Sequence, residues 1–245
     1  MPELSDAQKV TDATSTTDQT EITAAQFLRS LIVTIVVGKG SKAQSFPIYK
    51  DLLTTHSPYF KACLNGAWEE GKTNIVRLED DNPKAFEIVA NWLFKDPTAM
   101  KQTDITNKTV VVRYKLADKL LMTQLKNNIL DGFQAFQLAK NESCSIGWLD
   151  HLCSKGLQRT ALYDYCLKSY VSGLGAPEVK CAGDMFANAA GSLTNEEAMK
   201  DLITMMAKFM QQRWGDPRKE TGCVYHDHSD GSSCSVVRGV KRRHE

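Results

Sequence analysis

The sequence contains no hydrophobic run long enough to cross a membrane. The longest apolar run covers residues 31–37 and includes Thr34, whereas a membrane-spanning helix needs about 20 residues. The first residues carry Glu3, Asp6 and Asp12 and include no apolar block, so we expect no secretory signal. We therefore expect a soluble intracellular protein, located in the cytoplasm, the nucleus or both.

The sequence also has little net charge and no disulfide pattern. Its 30 basic and 29 acidic residues leave a net charge of +1, which gives no general attraction to nucleic acid or to membrane surfaces. The seven cysteines are an odd number spread along 245 residues, which does not indicate a disulfide framework. We therefore expect mostly free thiols, and we expect neither nucleic acid nor a membrane as a partner.

No combination of residues indicates catalysis. Residues 38–41 read Gly-Lys-Gly-Ser but lack the spacing of a phosphate-binding loop, so a hairpin turn is the better interpretation. His56 and His151 have no matching nucleophile with a third, orienting group. We therefore predict that the protein is not an enzyme.

The composition and the hydrophobic pattern divide the chain into four parts. Residues 1–23 are rich in Thr, Ser, Asp and Gln and cannot bury enough apolar surface, so we predict disorder there. Residues 24–130 combine strand and helix patterns, whereas residues 131–213 contain helix patterns alone. Residues 214–245 are rich in Gly, Ser, Asp, His and Arg, with little to pack, and we predict a flexible tail. The predicted fold class is α+β, followed by an α-helical C-terminal region.

Three strands are predicted within the second part. Residues 31–37 are almost continuously apolar and predict a strand buried on both faces. The chain then turns back, and residues 43–49 predict a second strand that pairs with the first; residues 74–78 predict a third. Ser57 before Pro58 predicts a helix start, because the Ser hydroxyl can accept from a free amide and Pro has no N–H to lose.

A second helix start is predicted in the C-terminal region. Thr194 and Glu197 have the spacing of a capping box, in which the Thr hydroxyl accepts from the amide three residues on and the Glu side chain reaches back. We therefore predict that Thr194 caps a long helix. The apolar residues expected on its inner face are Ala198, Leu202, Met205, Met206 and Phe209.

This order of strands and helices, together with a set of short motifs, resembles the BTB/POZ domain, and the residues of these motifs are most similar to its fungal type. The motifs that carry the resemblance cover about half of the chain: residues 33–38 (VTIVVG), Phe46, residues 50–53 (KDLL), 57–60 (SPYF), 68–70 (WEE), 83–86 (PKAF), 92–93 (WL), 114–122 and 125–127. The resemblance implies a short-stranded sheet flanked by a helical cluster, and a protein–protein interaction module without chemistry of its own.

The resemblance also implies partners. Many relatives bind cullin scaffolds and act as substrate adaptors of ubiquitin ligases, which is the leading interpretation of the function. Many relatives also form homodimers through the first helix and the first strand. Two positions depart from the family: Leu31 stands where relatives often carry an acidic residue, and Tyr49 where they often carry His. The alternative function is a homo-oligomerising nuclear scaffold or transcription-associated regulator without a ligase role.

Five residues are predicted to bind the partner. Trp68, Glu69 and Glu70 resemble the hydrophobic-x-Glu motif with which cullin-binding BTB domains contact their scaffold. An exposed aromatic side chain can fill a groove on the partner while a nearby carboxylate meets a basic rim. We add Tyr59 and Phe60 on the neighbouring predicted helix. The alternative is that Trp68 packs on its own domain and that the glutamates only solvate a loop.

One cluster of potential metal ligands lies in the tail. Cys223, His226, His228 and Cys234 provide four sulfur and nitrogen donors within 12 residues. Zinc binds such donors tetrahedrally and can supply folding free energy to a segment too polar to fold by burial. Zinc is therefore the one cofactor that the sequence predicts. The alternative is a disordered tail with incidental donors, because one residue between the two histidines is not the spacing of a standard zinc finger.

Overall fold

The computed structural model describes residues 29–94, 109–174, 193–212, 214–220 and 222–231. Residues 1–23, for which disorder is predicted, and Cys234, a predicted zinc ligand, lie outside the described residues. Within the described ranges, no helix is both long enough and apolar enough to cross a membrane.

A small mixed sheet begins the described part of the chain. Its strands are β1 (Ile32–Val37), β2 (Gln44–Tyr49) and β3 (Ile75–Leu78). The order is β2-β1-β3, and β1 runs antiparallel to β2 and parallel to β3. Pro47 lies opposite Thr34 on the edge strand β2, where its missing N–H breaks no central ladder. The three predicted strands are therefore confirmed, and their apolar side chains build the first part of the core. The prediction that the first strand is buried on both faces is wrong, because its residues alternate: Val33, Ile35 and Val37 are buried, whereas Ile32 is exposed and Thr34 and Val36 are half-buried.

Helices surround this sheet and continue into the C-terminal region. The helices that follow the first hairpin are α1 (Lys50–His56), α2 (Pro58–Asn65), α3 (Glu69–Thr73), α4 (Pro83–Phe94), α5 (Val110–Lys119) and α6 (Thr123–Lys140). The C-terminal region contains α7 (Ile146–Ser154), α8 (Ala161–Leu174) and α9 (Glu196–Gln212). Short 3₁₀ turns occupy Gly40–Lys42 and Pro217–Lys219. This arrangement confirms the α+β fold class with a helical C-terminal region.

Helix α6 connects the two parts of the molecule. It runs without a break across residues 130 and 131, where the sequence pattern places a boundary. Leu125, Ile129 and Phe133 on this helix are fully buried, and a single core extends from β1 through α6 to α9. The helical C-terminal region is therefore packed onto the sheet-containing part through shared side chains.

Ser57 links two helices that are distant in sequence. Its Oγ accepts a hydrogen bond from the N–H of Phe60 at 3.2 Å, so the predicted cap of α2 is confirmed. The same hydroxyl donates to the carbonyl of Leu120 at 2.6 Å, in the turn between α5 and α6. Both bonds are buried, so the start of α2 and the start of α6 are held together away from water.

The predicted cap of α9 is wrong by one residue. Helix α9 begins at Glu196, and Oδ1 of Asn195 accepts from the N–H of Ala198 at 2.9 Å. The hydroxyl of Thr194 instead donates to the carboxylate of Asp150 at 2.9 Å. This hydrogen bond, together with those from the backbone N–H groups of Thr194 and Asn195, holds the pKa of Asp150 below its ordinary value. The Thr194 hydroxyl, which the sequence spacing predicts as the cap of α9, is thus hydrogen-bonded to the Asp150 carboxylate on α7.

The tail packs more closely than its composition predicts. Pro217 is buried, and its carbonyl accepts from Nε2 of Gln134 on α6 at 3.2 Å. The ring of Trp214 meets that of Phe209 with centroids 4.9 Å apart. The expectation of a segment with little to pack is therefore wrong for residues 214–220. Trp214 is half-buried, and the Glu220 carboxylate accepts from Nζ of Lys168 on α8 at 2.6 Å. The segment is thus held by contacts with both α6 and α8.

We predict that Ser57→Ala lowers the free energy of unfolding by about 2–4 kcal/mol. The change removes a helix cap and leaves the buried carbonyl of Leu120 without this donor. Urea denaturation of the full chain measures the effect. The control is Ser154→Ala, because the Ser154 hydroxyl donates to the carbonyl of His151 on an exposed surface and its loss should change stability by less than about 0.5 kcal/mol. Equal effects of the two changes would contradict the role of Ser57.

We also predict a pH dependence of stability that comes from His56. Its ring packs against Trp92 with centroids 5.2 Å apart, and burial lowers its pKa. The unfolded state, with a His pKa of about 6.5, therefore binds more protons in mildly acidic solution, and stability falls as the pH drops through this value. Chemical denaturation at about pH 7.5 and about pH 5.5 should show a smaller loss for His56→Gln than for the unchanged protein. Equal losses would count against this prediction.

Candidate functional site

Trp68 is displayed on the surface beside two acidic residues. It occupies the N-cap position of α3, and its side chain is 68% exposed. Glu69 and Glu70 form the first turn of α3, where the positive end of the helix dipole stabilises carboxylates. Glu69 is exposed and Glu70 is half-buried. Trp68 is therefore not a core residue of its own domain.

Two glycines fix the position of this turn. The indole of Trp68 lies over Gly66, where an added Cβ would come within 2.8 Å of its Cδ1 atom. A Cβ on Gly71 would lie 3.0 Å from the carbonyl oxygen of Gly66 and 3.1 Å from that of Leu64. A side chain at residue 71 would crowd the end of α2, so the close approach of α3 to α2 favours glycine at this position. This close approach holds Trp68 in a defined place.

The two predicted residues on α2 have different environments. Tyr59 is half-buried, whereas Phe60 is fully buried in the core, so the prediction of Phe60 as a partner-binding residue is wrong. Consecutive residues on a helix point about 100° apart, and α2 turns the Phe60 side toward the core. Tyr59 keeps part of its ring at the surface and meets Phe60 edge to face at 5.4 Å.

Tyr59 lies close to Cys63 and to the charge of Glu70. Burial, the Cys63 thiol and the Glu70 carboxylate raise the pKa of Tyr59 to about 12. Burial likewise raises the pKa of the Cys63 thiol. Both groups therefore stay protonated near neutral pH, so this surface offers hydrogen-bonding and apolar groups to a partner. We call Tyr59, Trp68, Glu69 and Glu70 the Trp68 surface.

A pocket of about 280 Å³ lies between α8 and α9 and is lined in part by Tyr163, Asp164 and Asp201. The Tyr163 hydroxyl donates to Oδ2 of Asp201 at 2.9 Å. Burial and the Asp201 carboxylate raise the pKa of Tyr163, so its phenol stays protonated. This pair acts as a contact between the two helices.

Three of the four predicted metal ligands come together in the tail. One ligand atom from each of Cys223, His226 and His228 lies within 4.8 Å of the other two. A turn brings the first two close, because the N–H of His226 donates to the carbonyl of Cys223 at 3.3 Å. Cys223 is exposed, whereas the side chain of His226 is only 3% exposed.

Side chains of α6 hold this part of the tail. Nε2 of His226 lies 2.7 Å from Oδ1 of Asp131. Oδ1 of Asn127 accepts from the N–H of Asp227 at 3.0 Å, and its Nδ2 donates to the carbonyl of Asp227 at 2.9 Å. The Nζ of Lys126 lies 3.2 Å from the Asp227 carboxylate. The residue between the two histidines is therefore fixed through its backbone and its side chain.

Sequence reasoning misses the α6 residues of this cluster. Asn127 and Asp131 are four residues apart, a spacing that puts them on one helix face. That spacing is the only signal in the sequence, because the tail residues that they bind are 95 to 100 positions away.

The comparison with protein families agrees with the strands and helices of the first part. Residues 29–136 match the family model of the BTB/POZ domain. The matched range begins just before β1 and ends within α6, so it includes the Trp68 surface as well as Asn127 and Asp131. No curated protein sequence matches the chain. Residues 29–136 therefore form a BTB/POZ domain, a protein–protein interaction module, which a helical C-terminal region follows.

Proposed function

We propose that the protein is a substrate adaptor of a cullin-type ubiquitin ligase and that the Trp68 surface binds the cullin. The observation that carries this proposal is the 68% exposed indole of Trp68 beside the carboxylates of Glu69 and Glu70. The same residues form the hydrophobic-x-Glu motif, which is similar to the scaffold-binding motif of cullin-binding relatives.

The size of the exposed ring supports a role in binding. Tryptophan buries roughly 150–250 Å² when it is enclosed, and it is enriched among the residues that dominate interface energetics. Covering the exposed two-thirds of Trp68 would contribute about 2–4 kcal/mol at ~25 cal/mol per Å². A single side chain of this kind can thus supply much of the affinity of a moderate complex.

The carboxylates add charge selectivity. Glu69 is exposed, and the charge of half-buried Glu70 acts on Tyr59 and Cys63. A partner with a basic rim would meet them at the edge of the indole contact, which accelerates association and excludes acidic surfaces. The C-terminal helices would then present the client, with exposed Ile203 and Met210 on α9 as its contacts.

A second candidate function is self-association as a nuclear scaffold or transcription-associated regulator. Leu31 and Ile32 at the start of β1 are 64% and 59% exposed. Ile32 pairs with Tyr49 across the sheet, and the Tyr49 ring meets exposed Phe94 with centroids 6.3 Å apart. These four side chains, the Leu31 patch, give a second copy an apolar surface to cover. The fungal type of the family remains a prediction from the motifs.

Cullin binding is predicted to depend on Trp68 and Glu70. Trp68→Ala combined with Glu70→Ala should weaken binding to purified cullin scaffolds about 30-fold or more, since hot-spot truncation typically costs 2 kcal/mol or more. The melting temperature should not change, because the indole is exposed. Phe94→Ala is the matched control: it removes another exposed aromatic ring, on the Leu31 patch, and should leave cullin binding intact. Retained binding of the double variant, or no binding by the unchanged protein, would reject the adaptor.

The second candidate predicts a dimer that depends on the Leu31 patch. Light scattering coupled to size exclusion should then give twice the chain mass of 27.3 kDa. Leu31→Glu should return the mass to that of one chain, because it places a charge in the apolar contact. The variant altered at Trp68 and Glu70 serves as the control and should remain dimeric. A monomeric unchanged protein would exclude self-association through this patch.

A further inference from the structure

We propose that Cys223, His226 and His228 form a zinc site that fastens the tail to helix α6 of the BTB/POZ domain. Their ligand atoms lie within 4.8 Å of one another. Zinc holds thiolate and imidazole ligands at about 2.3 and 2.0–2.1 Å, which places tetrahedral ligand atoms roughly 3.3–3.8 Å apart. An inward shift of at most about 1.5 Å per pair therefore brings these three ligand atoms to the distances that zinc requires.

The two histidines are arranged to bind one ion. Their ring centroids are 6.0 Å apart and their planes are inclined by 69°. Residues 226–228 are in no helix, strand or turn, and their backbone brings one ring nitrogen of each histidine within 4.8 Å of the other. The single residue between the histidines, which is unusual for a standard finger, suits this backbone.

Asp131 orients the ring of His226 in the same way that a carboxylate commonly orients a metal-binding histidine. With Oδ1 of Asp131 2.7 Å from Nε2 of His226, the carboxylate holds the ring proton on Nε2. The lone pair is then on Nδ1, which is the nitrogen that would bind the metal. Metal-binding histidines commonly donate their other N–H to a carboxylate in this way, which fixes the ring and raises its basicity.

The backbone of the site is preorganised from α6. Buried Asn127 binds both the N–H and the carbonyl of Asp227, and Lys126 bridges the carboxylates of Asp118 and Asp227 at 3.0 and 3.2 Å. Each contact fixes the chain between the two histidine ligands. These contacts restrict the backbone between the two histidines, so less ordering accompanies metal binding.

The donor types select zinc over the common hard cations. One thiolate and two imidazoles suit zinc, whereas magnesium and calcium require oxygen ligands. The carboxylate of Asp131 contacts a nitrogen of His226 and so orients this ligand instead of binding the ion itself. This zinc site is independent of cullin binding, because it uses none of the residues of the Trp68 surface.

The test is the zinc content of the full chain. Protein purified without chelators should contain about one zinc per chain by inductively coupled plasma mass spectrometry. Cys223→Ser, His226→Gln and His228→Gln should each lose most of it. The control combines Cys153→Ser with His151→Gln on α7, which removes one thiol and one imidazole elsewhere and should retain the zinc. Circular dichroism checks that each variant keeps its helix content.

Two further readouts do not depend on the folding of the ligand variants. Cobalt-loaded unchanged protein should show the visible bands of tetrahedral Co²⁺ and a thiolate-to-cobalt charge-transfer band. Asp131→Asn should still bind zinc but lose it to a competing chelator at 10- to 100-fold lower concentration. Zinc well below one per chain after reconstitution, zinc retention in the ligand variants, or cobalt spectra without a thiolate band would each overturn the proposal.

Discussion

A row of polar side chains on helix α6 has to be hydrogen-bonded, and much of the C-terminal structure follows from this requirement. Asn127, Asp131 and Gln134 recur at helical spacing, and each meets a group of the tail: the Asp227 backbone, the His226 ring and the Pro217 carbonyl. Each of these hydrogen bonds replaces bonds to water and contributes about 0.5–1.5 kcal/mol net, so together they favour a docked tail. The opposite, apolar side of α6 belongs to the common core.

Gln137, also on α6, makes a similar hydrogen bond to a residue of α8. It is fully buried, its Oε1 accepts from the Tyr165 hydroxyl at 2.6 Å, and its Nε2 contacts the Cys144 sulfur at 3.3 Å. The start of α6 is tied in the other direction, through Leu120 to Ser57 and so to α2. Helix α2 in turn meets α3 at Gly71, next to Trp68. The tail, α6 and the Trp68 surface thus belong to one connected set of contacts.

Local patterns in the sequence predict the elements of this fold well and their contacts poorly. The strand patterns and the Ser57 cap hold because a strand or a cap depends on neighbouring residues. Phe60 fails because a short motif does not tell which of two adjacent aromatic residues faces the core. Thr194 fails because a distant carboxylate, that of Asp150, competes for its hydroxyl. The potential metal ligands of the tail can be predicted because they are close together in the sequence. The α6 residues that contact them, Asn127 and Asp131, cannot be predicted in this way, because only folding brings them close to the tail.

The free energy of ordering residues 222–231 argues for a metal at this place. Fixing ten residues costs roughly 10–20 kcal/mol in backbone entropy. Four contacts with α6 contribute about 0.5–1.5 kcal/mol each, and half-buried Tyr225 adds about 1–2 kcal/mol. The sum of about 3–8 kcal/mol falls short of the entropy term. The proposed zinc site would contribute to this difference, since structural zinc supplies folding free energy in small Cys/His sites.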